Sequence, residues 1–153
     1  MRALNKRNNK GFSMAELIIV IAIMGVLVAA LAPTYLEYEE KSKKATDVQA
    51  IDEVLGVMEK IAIDPSYDMK NDDTMVVVFS REATVFEHAG NRADKITEAM
   101  ETMIGNYYLK SKWEEIKIVG TVNGGAVTFT CEQIDLIAEF SPKLAEKFAN
   151  APL

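Results

Sequence analysis

The chain has one cysteine, one histidine, one tryptophan and four prolines among 153 residues. A lone Cys131 permits no intrachain disulfide, so no cystine framework stabilises the fold. It closes the run Val127-Thr128-Phe129-Thr130-Cys131, whose alternation puts Cys131 on the apolar face of a strand as a small buried residue. His88 has no second histidine and no cysteine close by, and zinc needs several such ligands. It reads as a surface residue in a loop, Glu87-His88-Ala89-Gly90. Gly-x-Ser-x-Gly, P-loop and dinucleotide-binding glycine patterns are missing as well. An enzyme is not expected, nor a cofactor, nor a metal. Asp68, Asp72 and Asp73 form an acidic loop of the kind that invites calcium, but their spacing fits no EF-hand and a solvated loop is expected. Excess positive charge is lacking too. The formal net charge is −6, and all four cations of residues 1–11 (Arg2, Lys6, Arg7, Lys10) precede the rest of the chain. Residues 12–153 hold 13 Lys and Arg against 23 Asp and Glu, a formal −10. Such a surface is a poor partner for a phosphate backbone, so no nucleic-acid binding is expected of residues 12–153.

What is present is a long apolar run. From Leu17 to Ala32 there is no charge, and Phe12–Ala32 is long enough as a helix to cross a hydrocarbon core of about 30 Å. Basic residues precede the run and a mixed flank follows it, so the N-terminus is expected in the cytoplasm and the remainder outside. One carboxylate, Glu16, sits at the head of this run. An ionisable group there is unfavourable without a partner, which marks it as functional.

Lys10-Gly11-Phe12-Ser13-Met14-Ala15-Glu16-Leu17, followed by Gly25, by Pro33 at 21 residues past Phe12, and by Tyr35 and Tyr38, resembles the N-terminal segment of type IV pilins and type II secretion pseudopilins. The match covers residues 10–38. Where that family often has Thr-Leu-Ile/Val before the glutamate, this chain has Ser13-Met14-Ala15. The resemblance implies cleavage between Gly11 and Phe12 by prepilin peptidase and N-methylation of Phe12. It implies that Glu16 pairs with the cationic N-terminus of a neighbouring subunit during assembly. It further implies a kink or local melting near Gly25 and Pro33, where proline removes a backbone donor and clashes with the preceding turn. The implied partners are identical or related pilin subunits, prepilin peptidase, an inner-membrane assembly platform and the cytoplasmic membrane. The precursor would be a single-pass membrane protein that ends in an extracellular pilus or pseudopilus. Two other readings compete. Ala30-Leu31-Ala32 looks like a secretory cleavage site, although Glu16 interrupts the h-region and Pro33 would follow the cut. A plain uncleaved anchor explains the length but not Gly11, Phe12 and Glu16 together. A pseudopilin of a secretion or DNA-uptake machine, or an anchored or secreted binding domain, are the functional alternatives.

Four segments follow: a basic leader over 1–11, a transmembrane and assembly helix over 12–33, its amphipathic continuation over 34–63, and a head over 64–153. The continuation shows an apolar stripe of Ala45, Val48, Ile51, Leu55, Met58 and Ala62, with charges including Asp47 on the other faces, and Asp64-Pro65 ends it. In the head, Met75–Phe79 and Thr84–Phe86 suggest paired strands. Ala93, Ile96, Met100, Met103 and Tyr107 suggest a helix over about 91–109. Ile116–Val122 and Ala126–Cys131 form a hairpin at Asn123-Gly124-Gly125. Two short helices follow, over 132–140 and from Ser141-Pro142 onward. The expected class is α+β: a long N-terminal helix packed on a small antiparallel sheet with additional helices. Tyr107, Tyr108 and Trp113 could form an adhesive patch, with core packing the expected alternative.

Overall fold

A computed structural model describes residues 11–90 and 92–149; the basic leader residues Arg2, Lys6, Arg7 and Lys10 lie outside them. The elements are α1 (Met14–Ile63), β1 (Thr74–Ser80), β2 (Thr84–Ala89), α2 (Ala93–Ile104), β3 (Glu115–Asn123), β4 (Ala126–Cys131), α3 (Ile134–Ala138) and α4 (Pro142–Ala149). The strands form one antiparallel sheet in the order β2-β1-β3-β4. This is the α+β class read from the sequence. The chain divides into two compact units, residues 1–39 and 40–153.

In the second unit, register decides which side chains meet. His88, Met75, Gly120 and Phe129 share one rung, and Phe86, Val77, Ile118 and Cys131 the next. Because side chains alternate across a strand, these rungs line one face. Met75, Val77, Phe79, Ile116 and Ile118 are fully buried there. The stretch of α1 in this unit buries Asp47, Val48, Ile51, Val54, Leu55, Met58 and Ile61. Gly120 belongs to this contact. A Cβ at that position would stand 2.9 Å from Met58 Cε and 3.0 Å from Val127 Cγ1, so the missing side chain lets α1 approach β3. Ile96 and Met100 of α2 and Leu144 and Phe148 of α4 join the same core. The stripe differs from expectation at three places: Ala45 is exposed, Ala62 is half-buried, and Asp47 is wholly buried.

Turn chemistry explains the connections. Gly124 and Gly125 both have positive φ, at 61° and 82°, as a two-residue hairpin between right-twisted strands requires. The β1–β2 turn has no glycine. Ser80 closes it instead: its Oγ accepts from the amides of Glu82 and Ala83 and donates to the Ala83 carbonyl. β2 then runs on to Ala89, so His88 is a half-buried strand residue rather than a loop residue. α2 stops at Ile104, five residues before the sequence expectation. Gly105 terminates it at φ 70°, its amide donating to the Glu101 carbonyl. Ser141 caps α4 by accepting the Leu144 amide at 3.3 Å. Cys131 packs against the core but is half-buried, and burial pushes its thiol above the usual range.

Candidate assembly segment and the buried carboxylate

Gly11, Phe12 and Ser13 precede α1 as non-helical chain, and Phe12 is 87% exposed. Ser13 starts the helix. Its Oγ accepts the Glu16 amide at 3.2 Å, while Glu16 Oε2 accepts the Ser13 amide at 2.8 Å. This reciprocal pair is a capping box, which satisfies two otherwise orphaned donors and places an anion at the positive end of the helix dipole. Sequence reasoning singled out Glu16 but missed Ser13, although Ser-x-x-Glu before an apolar run signals such a box. Glu16 therefore has a fixed position one turn into the helix, with the acceptor capacity of a carboxylate left for other donors.

From Leu17 to Ala32 the helix is apolar on every side. Its large side chains from Leu17 to Leu36 are exposed, between 42% at Val20 and 71% at Val26. An apolar surface this extensive is not stable against water. Among the described residues, α1 is the one helix long and apolar enough to cross a membrane. Gly25 and Pro33 both lie within α1, which continues through Pro33. A Cβ at Gly25 would meet nothing within 4 Å, and the same holds at Gly11, so neighbouring side chains within the chain do not demand either glycine. Gly11, Phe12 and Glu16 thus cluster at the helix start, while Pro33 stands about 25 Å further along the axis.

Asp47 is the polar residue that sequence reasoning misplaced. It is 0% exposed. Its carboxylate accepts the Tyr107 hydroxyl at 2.8 Å, the Lys110 amide at 3.0 Å and the Ser111 amide at 2.9 Å. Three donors stabilise a charge that burial alone would make prohibitive. About two helical turns earlier, Glu40 Oε1 accepts the Lys112 amide at 2.7 Å. Arg81 holds the same loop from the β1–β2 turn, donating to the Trp113 carbonyl at 3.2 Å and the Lys112 carbonyl at 3.1 Å. The loop after α2 is therefore latched to α1 from one side and to the sheet from the other. Asp47 was readable: it stands in phase with Ile51, Val54, Met58 and Ile61, the buried stripe itself.

The latch resolves the aromatic patch. Trp113 is buried, edge-on to Phe140 at 6.2 Å, with Lys44 Nζ 5.8 Å from its ring centroid. Tyr107 is half-buried and turned toward Asp47; burial first, then that carboxylate, pushes its hydroxyl well above its ordinary value. Tyr108 alone is substantially exposed, at 48%. These rings do not make one adhesive surface. In the acidic loop, the Asp73 carboxylate accepts the Lys70 amide at 2.9 Å and Asp64 accepts the Ser66 amide and hydroxyl. Those bonds hold Asp64 below the usual carboxylate range. Among the described residues, no group of three or more His, Cys, Asp or Glu side chains is placed to hold a metal ion.

Comparison with curated proteins gives no match, and comparison with solved structures gives none. Residues 6–32 match the family described as the prokaryotic N-terminal methylation motif. That stretch holds Gly11, Phe12, the Ser13–Glu16 box and Gly25, so the chain carries the prepilin-type N-terminal signature of type IV pilins and pseudopilins.

Proposed function

We propose that this chain is a structural subunit of a type IV pilus-like filament. Prepilin peptidase removes residues 1–11 and methylates the new N-terminus at Phe12. The segment 12–33 holds the precursor in the cytoplasmic membrane, N-terminus inside, and residues 34–63 continue the helix toward a head over 64–153. Subunits then leave the membrane and polymerise through their apolar helices at an assembly platform. The observation that carries this reading is the combination at the start of α1: an exposed Gly11-Phe12 junction, a carboxylate fixed by Ser13 at the first turn, and a helix whose large apolar side chains from Leu17 to Leu36 are exposed among the described residues. A buried carboxylate in a filament core is strongly unfavourable alone and far less so beside a cationic amine. Glu16 and a neighbour's Phe12 amine form that pair and set the register of each added subunit. Pro33 and Gly25 let the helix bend or locally melt as it passes from membrane to filament. The role of the head in this reading is structural.

The test separates charge from helix capping. Glu16→Gln keeps an oxygen for the Ser13 amide and removes the charge. Membrane insertion and leader removal should persist, and the yield of sheared filaments, measured by immunoblot and electron microscopy, should collapse. Wild-type filament yield from Glu16→Gln would refute the pairing role.

A further inference from the structure

The helical layer of the head carries two surfaces of opposite character. α2 lies against β2 and α4 against β4, the two edges of the sheet. α1 runs between them, with Ala50, Val54 and Val57 toward α2 and Ala45, Val48 and Gln49 toward α4. The crease between α1 and α4 opens into a groove of about 470 Å³. Its floor is apolar, made by Val48, Leu144 and Phe140, with Ala45 exposed beside them. Its charged rim is Lys143, Lys147 and Asp52, all exposed, with Lys147 Nζ 2.8 Å from Asp52. The rim is thus net positive on a chain that carries a formal −10 over residues 12–153. On the other side, Asp94, Glu98 and Glu101 recur at i, i+4 and i+7 of α2, so they form one ridge, and all three are exposed. Lys95 is the single cation of that helix.

We propose that the α1–α4 groove of one head receives the acidic α2 ridge of a second copy. Lys143 faces Glu98 and Glu101, and the methylene stems of those glutamates cover the apolar floor. Charge complementarity selects a second copy as the occupant. The groove and the ridge are different patches of the same chain, so the contact is heterologous and repeats head to tail. Such contacts generate an open helical row unless the rotation closes into a ring. This inference rests on the filament reading and adds to the helix contacts a lateral contact between heads.

Full-length variants expressed in cells with the assembly machinery test it. Lys143→Glu and Glu98→Lys should each lower sheared-filament yield about ten-fold, because each juxtaposes like charges, and the double variant should recover most of it. In a Cys131→Ser background, Lys143→Cys with Glu98→Cys should give a ladder of disulfide-linked multimers on oxidising intact filaments. Wild-type filament yield from both single variants, or intact filaments without a ladder, would overturn the lateral contact and leave the filament reading standing. Dimers from Lys143→Cys alone would overturn it in favour of a two-fold contact. Failure of the unmodified chain to form filaments would overturn both readings together.

Discussion

Replacing Asp47 by alanine should destabilise the folded unit of residues 40–153. The substitution removes the acceptor for three donors: the Tyr107 hydroxyl and the Lys110 and Ser111 amides. Hydrogen bonds to a charged group contribute about 1.5–3 kcal/mol each, and a donor left dry costs about 1–3 kcal/mol. Water can reach Lys110, which is exposed, so its amide loses little. Ser111 is 3% exposed and its amide stays dry, and the half-buried Tyr107 hydroxyl loses its partner. Against that loss, the variant no longer buries a charge, which offsets part of the effect. The balance is a loss of about 3 kcal/mol. For a folded unit spanning residues 40–153, that corresponds to a fall in Tm of about 12 °C. Trp113 is the only tryptophan, sits two residues past Ser111 and is buried, so its fluorescence reports this loop directly. Thermal unfolding of the full-length protein in detergent, followed by Trp113 emission, measures the shift. A Tm change under about 2 °C would refute the view that Asp47 fixes the loop to α1.

The latch also predicts an alkaline weakness. The Tyr107 pKa in the folded state is raised above its ordinary value of 10.0. Its contribution is therefore complete below pH 10 and is lost as pH rises through the folded value, so Tyr107→Phe should flatten the alkaline fall in Tm. Gly120→Ala should cost about 1–3 kcal/mol, because the new methyl stands 2.9 Å from Met58 Cε and 3.0 Å from Val127 Cγ1; denaturant titration gives the value, and wild-type stability would contradict the close approach of α1 to β3. Gly90→Ala should destabilise the turn after β2, since its Cβ would fall 2.1 Å from Asp73 Oδ1 at a φ of +136°; the same titration checks it. Ser13→Ala should weaken the start of α1 by about 1 kcal/mol while leaving the Glu16 charge in place, so filament yield should fall much less than in Glu16→Gln.

Much of this architecture was legible in the residues, and the failures have physical reasons. The apolar run, the Asn123-Gly124-Gly125 turn, the Ser141-Pro142 start and the two strand pairs are local signals that the fold obeys. Gly105 was an equally local signal, outweighed by the helical phase of Met103 and Tyr107. Tyr107 keeps that phase in sequence yet leaves the helix, because its hydroxyl bonds Asp47 across sixty residues of chain. Asp47 was assigned to a solvated face by its charge, although its phase matched the buried stripe. Here a long-range cluster of donors overrode residue-type preference, and no spacing rule names the donors in advance. The Ser13–Glu16 box is a local signal too, Ser-x-x-Glu at the head of an apolar run. The groove and the acidic ridge required the sheet order, which sequence periodicity does not supply.

The central claim is that the N-terminal segment is processed and used for assembly. The most direct test is the intact mass and N-terminal sequence of the protein recovered from cells and from their sheared filaments. A chain that begins at Phe12 with one added methyl group is the predicted result. A chain that begins at Pro33, or one that retains Met1 in cells with an active prepilin peptidase, would contradict it.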